Sequence, residues 1–388
     1  MTTSQRQRLE LEPLEARRLL AGVIDIVDVD GDPVRIRLTG PGDFDVTLTE
    51  VDQGERIDAI TLFDTTSRSK LIVKAGRGPG DGYVDVDTVD GVGQELNQLF
   101  VEGNLGFLEI DSVRKINAHT TAASIDESDA DWIIDDNVRS LVLRGSLEYG
   151  KIEINGDLRR AIIHGDIYQA SLVVDGMIRV LHVRSDVAED SLIFARDGIG
   201  KLLVRGNLDF SNIETNDLLG RVTIRQDVFD SVIFGNDGIR RIVVDGGVAD
   251  TTIESSGGIG VIDVWNWIEN TDLIAGPQGI NTVFAYDIDN LTLSGPGDIK
   301  HLLLDNDPLS GFAASAHQAS AYVQAEAAPS PLAASDFQAT ATYATYDDYL
   351  VDHPASEHPY SEKKDYNGWF ISFSFGSHGN GLTFGYHS

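Results

Sequence analysis

The chain contains no cysteine and only 2 methionines among its 388 residues. The lack of thiols excludes disulfides, thiolate metal sites and a cysteine nucleophile. The sequence also has no run of about eighteen apolar residues, so it predicts no transmembrane segment. The fold must therefore be held by noncovalent packing, and a hydrophobic content of 41% is enough for a large core.

Positive charge is scarce as well. The chain has 30 Lys and Arg against 62 Asp and Glu, and its formal net charge is −32. A surface with this excess of carboxylates repels the phosphate backbone of DNA and RNA. The composition therefore excludes nucleic acid as a partner of the whole molecule.

Repetition is what the sequence has in abundance, because one pattern recurs nine times between residues 138 and 304 at intervals of 19 to 21 residues. Aliphatic residues occupy the start of each copy and the positions three, five, nine and fourteen residues later. Leu219, Val222, Ile224, Val228 and Ile233 form one such set. Self-similarity at this period indicates stacked units that cannot bury their apolar face alone.

The spacing within a copy favours strands over helices. The sequence Leu141-Val142-Leu143 alternates with period two and is soon followed by a glycine, which is typical of a strand followed by a turn. Two or three strands per copy leave no room for a helix, which excludes a leucine-rich repeat. The sequence therefore predicts an all-β protein, a parallel β-solenoid with about 20 residues per turn, and the crossover rule favours right-handed coiling.

The flanking segments differ from the repeats. Alternating apolar residues and Gly-containing turns at 23–91 predict a small antiparallel β unit that caps the first turn of a solenoid at 92–305. Residues 306–350 have the Ala- and Ser-rich composition of a linker. Residues 351–388 predict an aromatic hairpin that packs on the rod or docks on a partner.

The N-terminal segment, residues 1–22, combines arginines with leucines that glutamates interrupt. One interpretation is an amphipathic terminus, since a conventional signal peptide needs an unbroken apolar stretch. Residues 11–20 read Leu-Glu-Pro-Leu-Glu-Ala-Arg-Arg-Leu-Leu and resemble the LEPR-xLL motif of planctomycete secreted and surface proteins, with Arg17 as its arginine. The β unit followed by repeats is also similar to large planctomycete surface proteins. The resemblance implies a secreted or cell-surface location and no particular activity.

A basic column is predicted on the outside of the first strand of each copy. Positions two, four and six of that strand point outward because positions three and five point inward. Guanidinium groups bind sulfate or carboxylate through paired hydrogen bonds, so this face is expected to dock an anionic polysaccharide, a cell-envelope component or an acidic face of a second copy. The predicted ligand-binding residues are Arg144, Arg160, His164, Arg184, Lys201, Arg205, Arg221, Arg225, Arg241, Trp265 and Tyr286.

Two alternatives start from an acidic column, in which Asp166, Asp186 and Asp227 follow the small residues of the turns. In the first alternative these acids pair with the arginines and only hold the turns. In the second, the chain is a polysaccharide lyase or glycoside hydrolase on a pectate-lyase-like β-helix. No accompanying acid, base and metal constellation is found, so no catalytic residue is predicted and a non-enzymatic structural or adhesion rod is favoured.

A second acidic group, formed by Asp25, Asp28, Asp30 and Asp32, surrounds a predicted hairpin turn. Carboxylate oxygens are the ligands that Ca²⁺ prefers, although the spacing is not that of a twelve-residue EF-hand loop. The two interpretations are a Ca²⁺ site and a turn with solvated acids. No other cofactor is predicted.

Overall fold

The computed structural model of the chain describes residues 22–51, 54–119, 130–297 and 299–304, together with the backbone of residues 369–374 and 381–386. These residues form thirty-five strands and no helix. Within them, accordingly, no helix has the length and apolar character needed to cross a membrane.

The strands are numbered in chain order. The first nine are β1 (Val23–Val27), β2 (Pro33–Thr39), β3 (Asp43–Val51), β4 (Gly54–Phe63), β5 (Lys70–Ala75), β6 (Val84–Leu96), β7 (Gln98–Val101), β8 (Gly103–Val113) and β9 (Lys115–Ala118). The next thirteen are β10 (Ala130–Ile134), β11 (Ser140–Leu143), β12 (Leu147–Glu148), β13 (Gly150–Ile154), β14 (Ala161–Ile163), β15 (Ile167–Tyr168), β16 (Ser171–Val174), β17 (Ile178–Val183), β18 (Val187–Ala188), β19 (Leu192–Ala195), β20 (Ile199–Val204), β21 (Leu208–Asp209) and β22 (Asn212–Thr215). The last thirteen are β23 (Leu218–Ile224), β24 (Val228–Phe229), β25 (Val232–Gly235), β26 (Gly238–Val244), β27 (Val248–Ala249), β28 (Thr252–Ser255), β29 (Gly258–Val264), β30 (Trp267–Ala275), β31 (Gly279–Ala285), β32 (Asp287–Ser294), β33 (Ile299–Leu304), β34 (Trp369–Ser374) and β35 (Gly381–Tyr386).

Successive copies of the repeat stack in parallel. Leu141 of β11 lies opposite Ala161 of β14, which lies opposite Leu181 of β17, which lies opposite Leu202 of β20. Partners are 20 or 21 residues apart along the chain. This register confirms the predicted parallel β-solenoid.

Each turn of the solenoid, here called a rung, carries strands on up to three faces. The first face is a fourteen-stranded sheet that runs from β1 and β2 through β5, β7 and β9 to β33. The second face consists of the two-residue strands from β12 to β27, and the third face contains the longer strands from β13 to β28. In β30 the second and third strands of the rung are continuous, because β30 pairs with both β27 and β28.

Apolar columns fill the interior between the faces. Val204, Ile224 and Val244 are opposite partners on three neighbouring rungs, and each is 0% exposed. The other members of the set that starts at Leu219, including Val228 and Ile233, are buried as well. The assignment of inward positions from the sequence is therefore confirmed.

A sharp corner separates the second face from the third. Phe210, Asp230 and Asp250 adopt left-handed backbone conformations at this corner, with φ of 45°, 44° and 48°. The next residue is Ser or Thr, and its hydroxyl donates to the carbonyl oxygen two residues earlier, as from Ser231 to Phe229 at 2.6 Å. The same bond recurs on neighbouring rungs. This stacked bonding satisfies backbone groups that the corner removes from the sheets.

The N-terminal unit is antiparallel, with β1 paired to β2, β2 to β5 and β3 to β4. Parallel stacking begins with β5 on β7 and β4 on β6. The antiparallel strands thus extend the solenoid's own sheets, and β6 crosses the domain boundary expected between residues 91 and 92.

The C-terminal strands β34 and β35 form an antiparallel hairpin, in which Trp369 lies opposite Tyr386 and Phe373 opposite Leu382. This hairpin falls within the aromatic tail predicted at 351–388. The predicted linker at 306–350 and the LEPR-xLL-like residues 11–20 lie outside the described residues.

Candidate functional site

The first face carries the predicted basic column. In β14, β17 and β20, core-facing residues alternate with residues that point outward. Just beyond these strands, at position six, Arg144, His164, Arg184 and Arg205 are exposed on four consecutive rungs. Neighbouring strands lie about 4.8 Å apart, so a basic side chain recurs at about that interval along the rod.

The pKa values of two histidines reflect the positive charge of this region. Burial lowers the pKa of His164, and the charges of Arg184 and Arg144 lower it further. Burial likewise lowers the pKa of His182, followed by the charges of Lys201 and Arg160 at position two. Both histidines are therefore held toward the neutral form by cations that lie close to them. The basic patch is defined as Arg144, Arg160, His164, His182, Arg184, Lys201 and Arg205.

The acidic column does not neutralise this patch. The backbone N–H of Asp186 donates to Asp166 Oδ1 at 3.0 Å, and the N–H of Asn207 donates to Asp186 Oδ1 at 2.6 Å. Asp227 accepts the N–H of Gly247 in the same way at 2.7 Å. Each side chain thus fixes the turn of the next rung. Among the described residues, no carboxylate oxygen lies within 4.0 Å of an Arg or Lys nitrogen of the basic patch.

The alternative that these acids pair with the arginines is therefore wrong, whereas their role in holding the turns is confirmed. Their carboxylates bond to backbone groups of adjacent rungs.

Two arginines of the predicted column form ion pairs on the rungs that follow the basic patch. Arg225 Nη1 lies 2.7 Å from Asp245 Oδ2, and Arg241 Nη2 lies 3.1 Å from Asp263 Oδ2. Arg221 is half-buried and has interaction partners. The predicted set of eleven ligand-binding residues therefore divides into an unneutralised N-terminal part and a C-terminal part in which Arg225 and Arg241 are paired.

The aromatic end of the predicted column lies beside a cleft. Trp265 is half-buried and has interaction partners, while Tyr286 is exposed and lines a cleft of about 500 Å³. Trp267 and Glu269 also line this cleft. A Cβ added at Gly247 would lie 2.4 Å from the Trp267 ring, so this ring occupies space that only glycine leaves open.

Sequence reasoning omitted His182 and Trp267 from the candidate residues. His182 occupies position four between the basic positions two and six, so its column places it among the arginines. Trp267 lies on the second strand of its rung. Gly247, one rung earlier, is the sequence feature that could have indicated a large ring at this place.

The acidic group near the N terminus is smaller than predicted. Oxygen atoms of Asp28, Asp30 and Asp32 lie within 4.8 Å of one another. Asp25 is not part of the group, because it is paired with Arg35 across the β1–β2 hairpin at 2.6 Å. The sequence grouped it with the others because it is close to them along the chain, but its cross-strand partner Arg35 decides its position.

The remaining acids have different surroundings. Burial, and then a hydrogen bond with Asp30, raises the pKa of Asp28 to about 6. Asp32 is buried and accepts the N–H groups of Gly80 at 3.1 Å and Gly82 at 2.6 Å, which braces that loop. Asp28 and Asp30 offer the oxygen ligands that a hard cation such as Ca²⁺ would use.

No protein-family model matches the chain, and searches of curated proteins and solved structures found no match.

Proposed function

We propose that the protein is a non-enzymatic structural or adhesion rod of the cell surface or envelope, and that its basic patch binds an anionic polysaccharide. The observation that carries the proposal is the concentration of unneutralised Arg and Lys side chains on one face of a chain whose net charge is −32. Mutual repulsion of these cations opposes folding, although more than enough acids exist to pair with them. A polyanion supplies the missing counter-charge.

The chemistry of the patch suits a polymer better than a small anion. A guanidinium group binds a sulfate or carboxylate through two parallel hydrogen bonds. Each exposed contact contributes little by itself, on the order of 1 kcal/mol or less. Basic groups on consecutive rungs allow a chain lying along the rod to make several contacts at once, which raises the effective concentration of each successive contact.

The location is supported by the N-terminal resemblance to the LEPR-xLL motif. An extracellular rod meets acidic or sulfated polysaccharides of cell envelopes and matrices. An acidic face of a second copy of the chain is the competing anionic ligand. Matrix retention distinguishes a polysaccharide from this second ligand, which would instead cause salt-sensitive dimerisation.

Retention on a heparin-like matrix tests the proposal. Arg184→Gln, Lys201→Gln and Arg205→Gln are combined in one variant, since these three side chains are exposed and belong to the patch. The wild-type protein should be retained at about 0.1 M salt and elute as salt screens the contacts. The triple variant should pass through unretained.

The matched control is a second triple variant, Arg68→Gln, Lys151→Gln and Arg196→Gln, whose three exposed residues lie outside the first face. It changes the net charge by the same amount and should be retained like wild type. Equal loss of retention in both variants, or a wild-type protein that never binds, contradicts the polysaccharide proposal. Salt-sensitive dimerisation without matrix binding identifies self-association instead, and release of unsaturated or reducing ends from the polysaccharide identifies the lyase or hydrolase alternative.

A further inference from the structure

Two aromatic residues occupy the corner between the second and third faces in a backbone conformation that suits them poorly. Tyr149 and Phe210 have φ of 51° and 45° there. On other described rungs the corner residue is mostly Asp or Asn, as at Asp230, Asp250, Asn270 and Asn290. Short polar side chains tolerate the left-handed region because they bond to nearby backbone, whereas a bulky side chain is strained in it. The chain thus keeps an aromatic ring at two corners where a smaller polar residue would fold more easily.

The same two rings contribute little to the core. The side chains of Tyr149 and Phe210 are 53% and 51% exposed, the highest fractions for any aromatic residue whose side chain the structure describes. Neither the backbone conformation nor burial therefore accounts for an aromatic residue at these corners. Backbone strain and exposed apolar surface are both features that concentrate at binding sites.

Other rings extend these two into a line along the rod. The ring of Tyr149 meets that of Tyr168 edge-on, with 5.5 Å between the centroids. The N–H of Phe210 donates to the carbonyl oxygen of Phe229 at 3.1 Å, and the Phe229 ring lies 6.1 Å from that of Trp267. Three rung steps of about 4.8 Å, or about 14 Å, separate Tyr149 from Phe210. Tyr149, Tyr168, Phe210, Phe229 and Trp267 define the aromatic ridge.

Carboxylates lie among these rings. Glu189 and Asp230 are exposed, and Asp209 between them is half-buried. Burial raises the pKa of Asp209, and the negative charges of Glu189, Asp230 and Asp186 raise it further. In the part of the chain that the structure describes, no Lys or Arg nitrogen lies within 4.0 Å of a carboxylate oxygen of Glu189, Asp209 or Asp230. The ridge therefore attracts cations and repels polyanions.

The combination of rings and acids selects the chemistry of the ligand. The face of an aromatic ring attracts a cation, and it also packs against the C–H groups on one side of a sugar ring. Carboxylates accept hydrogen bonds from ammonium and hydroxyl groups. A polymer of amino sugars offers all of these groups at regular intervals, whereas a lysine-rich peptide offers the charge without a flat ring to stack on Tyr149 and Phe210.

We propose that the aromatic ridge binds a glycan that carries protonated amino groups, of which a glucosamine polymer is the simplest example. This second site does not depend on the basic patch, because it lies along the second face and its corner and selects the opposite charge. The rod then holds an anionic polymer on one face and a cationic one on another.

Replacing the two strained aromatics tests the proposal. Asparagine adopts the left-handed conformation readily, so a variant with Tyr149→Asn and Phe210→Asn should melt at the wild-type temperature or above it. Its affinity for a labelled glucosamine oligosaccharide, measured by fluorescence anisotropy at mildly acidic pH, should fall at least about tenfold. The matched control, Phe63→Asn with Tyr83→Asn, also removes one exposed Phe and one exposed Tyr, but from the N-terminal unit, and should bind like wild type.

Charge and ligand class are tested separately. The N-acetylated form of the same oligosaccharide lacks the ammonium groups and should bind the wild type at least about tenfold more weakly. The variant with Arg184→Gln, Lys201→Gln and Arg205→Gln should bind the glucosamine oligosaccharide as the wild type does. A wild type that does not bind it, equal loss in both aromatic variants, or equal affinity for the N-acetylated form would overturn the proposal. So would a lower melting temperature of the Tyr149→Asn and Phe210→Asn variant, which would assign the rings to the fold, or equally tight binding of an oligolysine, which would make any polycation the ligand.

Discussion

Substitution of Ile224 by aspartate is expected to destabilise the solenoid by about 5 kcal/mol or more at neutral pH. Ile224 is 0% exposed and lies between Val204 and Val244 in a column of the core. Removing a buried isoleucine side chain costs about 2–5 kcal/mol in other cores. The remaining cost arises because the buried carboxyl must either ionise without a partner or keep its proton, which raises its pKa by roughly three units.

Urea unfolding followed by circular dichroism measures this effect. Ile224→Val should cost only about 0.5–1.5 kcal/mol, and Gln226→Asp, at an exposed neighbouring position, should change the free energy of unfolding by less than about 0.5 kcal/mol. Because the carboxyl of the aspartate variant has a raised folded-state pKa, its penalty should shrink as pH falls toward 4. An Ile224→Asp protein as stable as the wild type would show that Ile224 does not face the core.

Four further predictions concern other parts of the rod. Asp186→Ala should cost about 1–2 kcal/mol in urea unfolding because the N–H of Asn207 loses its acceptor, whereas Asp186→Asn should retain the bond and most of the stability. Gly247→Ala should displace the Trp267 ring, shift the tryptophan emission and destabilise by about 1–3 kcal/mol. The raised pKa of Asp28 makes its contribution to stability favourable below pH 4 and lost as pH rises through about 6, so Asp28→Asn should flatten the thermal stability between pH 4 and 7. If Asp28 and Asp30 hold Ca²⁺, adding Ca²⁺ at pH 7 should raise the melting temperature of the wild type but not of this variant.

The core of the rod was predictable because its inward positions follow from the local sequence pattern. Period-two alternation within a strand fixes which residues face inward, and the 20-residue period stacks them into columns, as for Ile224 between Val204 and Val244. The division of each rung into a two-residue strand and a longer strand was not predictable. It depends on a corner whose left-handed residue changes from Phe210 to Asp230 and Asn270, so no single residue type marks the corner in the sequence.

The sequence was enough to predict that the side chains of the candidate site point outward, but not which groups surround them. The sequence placed the arginines on the outside of the first face, because outward positions follow from the alternation. It could not show which arginines are paired, since Arg241 meets Asp263 across neighbouring rungs and columns. It also could not show that Thr223 and Thr282 are buried, because the alternation places both at outward positions.

The contrast between the basic patch and the acidic molecule leads to a prediction about salt. At about 0.01 M salt the Debye length is about 30 Å, so an approaching polyanion experiences the net charge of the whole protein. That charge is −32 and repels the polymer. At about 0.1 M the Debye length is about 10 Å, and only the nearby patch is felt; at about 1 M even those contacts are screened.

Binding should therefore pass through a maximum near 0.1 M salt instead of declining steadily from low salt. Fluorescence anisotropy of a labelled heparin-like oligosaccharide at 0.01, 0.1 and 1 M sodium chloride measures this directly. The Arg184→Gln, Lys201→Gln and Arg205→Gln variant should show no maximum, because the repulsion then outweighs the attraction of the basic residues that remain in the patch. A steady decrease of wild-type affinity from 0.01 M upward would mean that the patch dominates the long-range field, and the description of the molecule as an acidic rod with one local basic site would be wrong.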